Sequence, residues 1–258
     1  MKHIAVDPFF SAIEITHIAD DEQRLRVREL CRLAQLDIGF GAHPAILGQT
    51  LDLNSRDESR RSQAVSELMD LLDEACFMGA ESFVVLSGKD PGQDGRGDAV
   101  DALVRSLCEL CSHSKERNGP KVIAEVFDCD VDKCCLLGPA PIARQVAEGV
   151  CREHDNFGLL VDLGHIPLLR ESPRQALEPV KDFLAAAHLG NAVLEQGLPC
   201  YGDYHPVFGT PGSANDVPEM VDFLRTLIDI GFLDGKKKPM VSFEVKPMEG
   251  QDPLLRWR

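Results

Sequence analysis

The sequence predicts an α/β fold, a (β/α)8 TIM-type barrel lacking its first βα unit and its last helix, in a single domain over residues 1–258. Three observations lead there. Short apolar runs rich in β-branched residues alternate with helical periodicities of roughly 15–20 residues, the pattern of a parallel sheet joined by crossover helices. Seven such runs can be read, where a closed barrel needs eight. The chain has 258 residues, 44% of them hydrophobic, enough for one substantial core.

Taken in order, the expected strands are AIEITHI (12–18), IGFGAHP (38–44), SFVVLSG (82–88), KVIAEVF (121–127), GLLVDL (158–163), LAAAHLG (184–190) and MVSFEVK (240–246). Helices are expected near 20–35, 57–79, 97–117, 140–153, 172–182 and 215–231. In the second helix, Ser55 and Glu58 read as a capping box (S-x-x-E), and Ala64, Val65, Leu68, Leu72, Ala75 and Cys76 recur at helical spacing. Gly79 is its natural stop. The loop KDPGQDGRGD (89–98) is glycine-rich but has neither the Lys-Ser/Thr of a P-loop nor the order of a dinucleotide fingerprint, so it reads as a flexible βα loop. After the seventh strand, MEGQDPLLRWR is too short for a covering helix of ordinary length.

Composition excludes several classes of partner. A net charge of −15 and a single basic cluster, Lys236-Lys237-Lys238 in a turn, argue against nucleic acid, whose binders need a basic face. There is no apolar run of membrane-spanning length and no signal-peptide pattern, so the reading is a cytoplasmic protein with no membrane contact. The nine cysteines, an odd number falling largely on apolar helical faces, fit thiols in a reducing compartment. Cys108/Cys111 and the Cys134–Cys135 pair lack a second pair at zinc-finger spacing.

The chemistry lies at the strand ends, where a parallel barrel opens its site. Glu125, Asp162, His188 and Glu244 each come late in a strand, at alternating positions that can face the barrel interior. A charge in so apolar a run costs several kcal/mol unless it is paired or holds a cation. Three carboxylates and one imidazole suit a divalent metal ion such as Mn²⁺, Mg²⁺, Co²⁺ or Zn²⁺; the alternative is a set of satisfied ion pairs or mouth residues in water. His43 at the end of an early strand, and His205 in a Pro/Gly-rich loop, are further candidates for substrate contact or for structural roles. Glu14 and Lys246 also lie at strand ends, Lys246 either binding substrate or pairing with a carboxylate, and Asn191 is positioned to orient His188.

The motifs IEITHI, GAHP followed by LDLNS, AEVFD, VDLGHIPLL, AHLGN, GDYHPVFGTPG and SFEVKP, in this order, span nearly all of residues 10–250. Together they resemble the xylose-isomerase-like TIM-barrel family of sugar-phosphate isomerases and epimerases, more distantly the endonuclease IV group. The resemblance implies that Glu125, Asp162, His188 and Glu244 bind one divalent metal, that Glu125 and Glu244 act as an acid/base pair, and that His165 contacts substrate oxygen. The arginine that some epimerases place after the histidine strand has no match in LGNAVLEQGLPCYGD. The expected function is therefore isomerisation or epimerisation of a small sugar, keto-sugar or polyol through an enediolate. The alternatives are a lyase or hydrolase acting on a keto-sugar or keto-inositol at the same site, or a non-catalytic truncated subunit completed by a partner. A homo-oligomer would cover the sheet edge left by a shortened barrel.

Overall fold

The computed structural model describes residues 1–236, 238–248 and 250. Among them, seven strands form one sheet in sequential order: β1 (Ala12–Ile15), β2 (Asp37–Gly41), β3 (Ser82–Val85), β4 (Lys121–Val126), β5 (Phe157–Asp162), β6 (Leu184–Leu189) and β7 (Met240–Phe243). Every neighbouring pair is parallel. All seven expected runs are strands, although each stops before the expected end. The clearest case is GAHP, where β2 ends at Gly41 and a helix takes over at His43, with Pro44 in its first turn where a missing N–H costs nothing.

The helices are α1 (Lys2–Ala5), α2 (Asp21–Ala34), α3 (His43–Gln49), α4 (Glu58–Met78), α5 (Arg96–Glu116), α6 (Ala140–Cys151), α7 (His165–Leu168), α8 (Pro173–Leu177) and α9 (Val217–Asp229). The helix expected at 172–182 is split. Its first turns form α8, and Glu178–Val180, which contains Pro179, continues as a 3₁₀ turn. Before β1 the chain forms only α1, and no described ladder joins β7 to β1. Instead Ser242 Oγ of β7 donates to Glu14 Oε1 of β1 across the seam at 3.0 Å. Most of the C-terminal segment expected to lack a helix, and Lys237 of the basic triplet, lie outside the described residues.

Two apolar layers divide the fold. The larger one packs the helices on the outside of the sheet: Leu68 and Leu72 of α4 and Leu103, Leu107 and Leu110 of α5 are fully buried there with Phe40 and Phe83. Arg61 is buried on that face and stays charged through Glu58 and Glu109. The thiols follow their surroundings: burial raises those of Cys111 and Cys135, the latter to about 12, so both stay protonated. No described helix is long and apolar enough to cross a membrane.

The start of α4 corrects one expectation. Its N-cap is Asp57, whose side chain accepts from the N–H groups of Ser59 and Arg60, and Ser55 Oγ instead accepts from Asp57 N at 3.3 Å. Gly79 ends the helix with φ at 75°, as expected. Asp57→Ala is expected to lower stability by about 1 kcal/mol, read from the midpoint of urea unfolding.

Candidate active site

Alternation along the strands builds the site in layers. Val84 of β3, Ile123 of β4, Leu160 of β5 and Ala186 of β6 form a separate buried cluster, with Met240 of β7 against it. Two residues further on, the same face of β4 to β7 carries Glu125, Asp162, His188 and Ser242. Glu244 follows just beyond β7, its N–H donating to Leu189 O at 3.2 Å. An apolar plug closes the floor, and ionisable groups occupy the layer above it.

Glu125, Asp162 and His188 are buried, whereas the Glu244 side chain is 43% exposed. One ligand-type atom from each lies within 4.8 Å of the other three. His188 Nδ1 is 2.7 Å from Glu244 Oε2, 3.7 Å from Asp162 Oδ2 and 3.8 Å from Glu125 Oε1. Asp162 Oδ2 and Glu125 Oε1 are buried with no hydrogen-bond partner.

Each side chain is aimed by its neighbours. Asp162 Oδ1 accepts from the N–H groups of Gly164 and Gly190, which turns Oδ2 toward His188. Gly190 must lack a side chain, since a methyl there would overlap the Asp162 carboxylate and crowd His205 Nδ1. His188 Nε2 is 3.0 Å from Glu14. A carboxylate at that nitrogen fixes the ring and leaves Nδ1 facing the cluster. Glu14, not Asn191, therefore orients the imidazole: Asn191 Oδ1 is taken by the N–H groups of Ala192 and Asn215. Gly39 of β2 leaves room for Glu14, since a methyl there would come within 2.8 Å of its Cγ.

The electrostatics reflect this crowding. Burial pulls the His188 pKa down, but Glu14, Glu244 and Glu125 around it hold it well above the usual histidine value. In Glu14 and Glu244 burial opposes ionisation, and contact with His188 outweighs it, so both lie below the usual carboxylate range. Asp162 is pushed up to about 6 by burial, against the pull of His165 and His205.

A second group adjoins the first. His165 opens α7 and donates from Nδ1 to Val126 O at 2.7 Å, while its Nε2 is 3.1 Å from Asp203 Oδ1. His205 Nε2 is 2.8 Å from the same oxygen and 3.6 Å from Glu244 Oε1. Asp162, His165 and His205 also present ligand-type atoms within 4.8 Å of one another. Lys133 Nζ sits 3.2 Å from Asp203 Oδ2, and Asp203 N donates to Asp132 Oδ2 at 3.0 Å. The loop that supplies Asp132 and Lys133 is shaped by Asp128, whose buried carboxylate accepts from the N–H groups of Val131, Asp132, Lys133 and Cys134. The loop after β4 thereby grips the loop after β6.

The remaining candidates take different places. His43 stands at the start of α3 with Nε2 2.8 Å from Glu125 Oε2. Lys246 is exposed at the rim, its ammonium 4.4 Å from the Tyr204 ring centroid and its N–H donating to His205 O; the ring, not a carboxylate, is its partner. Sequence reasoning passed over Asp203, Asp128 and Lys133. The available signal was the D-Y-H spacing that sets Asp203 two residues before His205.

A family model described as xylose isomerase-like TIM barrel matches residues 9–257. The chain belongs to this family. Among solved structures, it is similar to a D-tagatose 3-epimerase-like protein, with TM-score 0.73 and 20% identity over 96% of this chain and 86% of that one. It is also similar to the D-psicose 3-epimerase with D-tagatose from Clostridium cellulolyticum H10, with TM-score 0.68 and 17% identity over 94% and 77% of the two chains. A third is the IOLI protein with a binding zinc atom, with TM-score 0.65 and 19% identity over 91% and 79%. At these identities the likeness is one of fold. No curated protein sequence matches the chain.

Within this family fold, the Asp203 cluster sets a pH dependence. Burial raises the Asp203 pKa, but His165 and His205 outweigh it and hold it far below 3.8, so its stabilisation is present above that value and is lost as pH falls. His205, raised from 6.5 to about 9 by Asp203 and other carboxylates despite burial, contributes fully below 6.5 and loses that contribution as pH rises through 9. In chelator-treated protein, Asp203→Asn is expected to cost about 3 kcal/mol between roughly pH 4 and 6.5, with the gap from wild type narrowing on either side. Thermal unfolding across pH measures it.

Proposed function

We propose that the protein is a divalent-metal-dependent isomerase or epimerase of a small sugar, keto-sugar or polyol, with Glu125, Asp162, His188 and Glu244 as its metal ligands. The observation that carries this reading is the pair of buried, partnerless oxygens, Asp162 Oδ2 and Glu125 Oε1, facing His188 Nδ1. Buried carboxylates such as Glu125 and Asp162 cost several kcal/mol without a cation, and a divalent ion would satisfy these oxygens together. A donor set of three carboxylates and one imidazole accepts Mn²⁺, Mg²⁺, Co²⁺ or Zn²⁺. The epimerases and the zinc-bound protein among the similar structures favour the same reading.

When bound, the ion would supply a Lewis acid for the negative charge that develops on the substrate's oxygens. The proton transfers fall to the chain's own carboxylates. Glu125 comes from β4 and Glu244 from the end of β7, on either side of the strands that carry Asp162 and His188. One removes the proton on the carbon beside the carbonyl. The other, protonated, delivers its own proton on the opposite face for epimerisation; delivery to the neighbouring carbon, with a proton passing between the two substrate oxygens, gives isomerisation. His43 beside Glu125, and His205 beside Glu244, are placed to exchange protons with them. His205, His43 and the rim residue Lys246 would surround the substrate. His165 would act there through Asp203, because the protein engages both its ring nitrogens.

Elemental analysis of protein purified without chelator is expected to find a stoichiometric divalent ion. Glu14→Gln should weaken its binding about 10- to 100-fold, measured by competition with a metallochromic dye. Glu244→Gln should lower kcat for the sugar turned over by about 10²- to 10⁴-fold while leaving the far-ultraviolet dichroism unchanged. Full activity in that variant would remove Glu244 from the acid/base role.

A further inference from the structure

Residues 190–216, which join β6 to α9, form neither helix nor strand, yet they carry Asp203 and His205 into the candidate site. Their course runs through backbone that most residues avoid: φ is positive at Gly197, Cys200, Gly202, His205, Gly209 and Gly212. Local preference does not hold a loop of this length in one conformation, so contacts from outside must. Two asparagines fix its base. Asn191 Oδ1 accepts from the N–H groups of Ala192 and Asn215, and Asn215 Nδ2 donates to Leu163 O and Gly190 O at 3.1 and 3.2 Å.

The segment 202–205 is gripped separately, from two sides. On one, His205 O accepts from the Lys246 N–H at 2.7 Å, and the Lys246 ammonium lies over the Tyr204 ring. On the other, the Asp203 N–H donates to Asp132 Oδ2 at 3.0 Å, and Lys133 Nζ is 3.2 Å from Asp203 Oδ2. The loops touch so closely there that a methyl at Gly202 would stand 3.0 Å from Asp132 Oδ2. The turn that presents Lys133 is ordered by its own residues. The Lys133 N–H donates to Asp128 Oδ1 at 2.7 Å, and the same fully buried carboxylate takes the N–H groups of Val131, Asp132 and Cys134.

Lys133 thus projects from a fixed platform onto a segment that lacks one. The Asp203 side chain is 3% exposed, so water is a poor substitute for the ammonium. Asp203 Oδ1 serves both His165 Nε2 at 3.1 Å and His205 Nε2 at 2.8 Å, while Oδ2 faces Lys133. A charge-assisted contact at the second oxygen fixes the plane of the carboxylate, and with it the aim of both imidazoles.

We propose that Lys133 is a positioning residue for the reaction at the metal-type cluster, acting through Asp203 on His205 beside Glu244 and on His165 beside Glu125. The role rests on the isomerase or epimerase reading of that cluster. Among the described residues, Lys133 contacts Asp132 and Asp203 and none of the four candidate ligands. Its loss therefore separates turnover from metal affinity: a side chain misplaced by about 1 Å costs on the order of 100-fold in rate, while the ligands stay where they are.

The test compares wild type with Lys133→Met, which keeps an aliphatic stem and loses the charge, and with Lys133→Arg, which keeps the charge. Full chains loaded with Mn²⁺ are used. Amide hydrogen exchange in residues 201–205 is expected to quicken about tenfold in Lys133→Met and to stay unchanged in residues 128–135, where Asp128 still holds the turn. Mn²⁺ affinity, read by dye competition, should stay within about twofold of wild type, while kcat falls about 10- to 100-fold. Lys133→Arg should restore kcat to within about threefold of wild type. Turnover is read on whichever of D-tagatose, D-psicose and D-fructose the wild type converts. Unchanged exchange in 201–205 or unchanged kcat in Lys133→Met would overturn the proposal. So would faster exchange across the whole barrel, or an equal loss of Mn²⁺ affinity, since either marks a structural role. A wild type that converts none of the three sugars counts against the isomerase or epimerase reading instead, and the exchange measurement then decides by itself whether Lys133 positions this segment.

Discussion

The structure turns on one buried imidazole placed among carboxylates, two of them, Glu125 and Asp162, buried with it. His188 faces Glu244, Asp162 and Glu125 through Nδ1 and Glu14 through Nε2. Without a cation at its centre, that ring must be protonated to balance the acids, which is why its pKa is held so high. A divalent ion would take over the balancing charge and release the proton, so metal binding and ring ionisation are linked. The same crowding, costly to the fold, is what the proposed ion would relieve.

The surrounding architecture can be read as support for that layer. Below it, Val84, Ile123, Leu160 and Ala186 fill the barrel and keep water from the underside of the carboxylates. Gly164 and Gly190 supply the N–H groups that fix Asp162, and a side chain at Gly190 would displace its carboxylate. Above it, Asp128 folds the loop after β4 into a clamp that holds Asp203 through Asp132 and Lys133, and Asp203 in turn holds His165 and His205. At the seam between β7 and β1, side chains replace the missing backbone ladder: Ser242 and His188 both reach Glu14.

The chain's charge takes on a local meaning. A balance of −15 argues against a phosphate backbone as partner, and even the cleft between the loops after β2 and β3 sets Arg56 and Lys89 beside Asp52 and Asp57. Net charge describes the far field that steers large partners, whereas recognition of a small anion depends on groups within a few ångströms.

The sequence by itself determined the seven strands, their order and the residues at their inward-facing ends. Both β-strand alternation and the cost of burying a charge are local properties, legible in runs such as KVIAEVF and LAAAHLG. That is why Glu125, Asp162, His188 and Glu244 could be picked out before the fold was known. Only the tertiary structure decided which side chains meet. Glu14 and His188 are separated by 174 positions and come together because the sheet curls β1 back toward β7. Asp203 joins His165 through loop conformations, including a positive φ at His205, that no periodicity encodes. The helix cap falls on Asp57 and not on Ser55, a choice between two acceptors two residues apart that the local sequence leaves open.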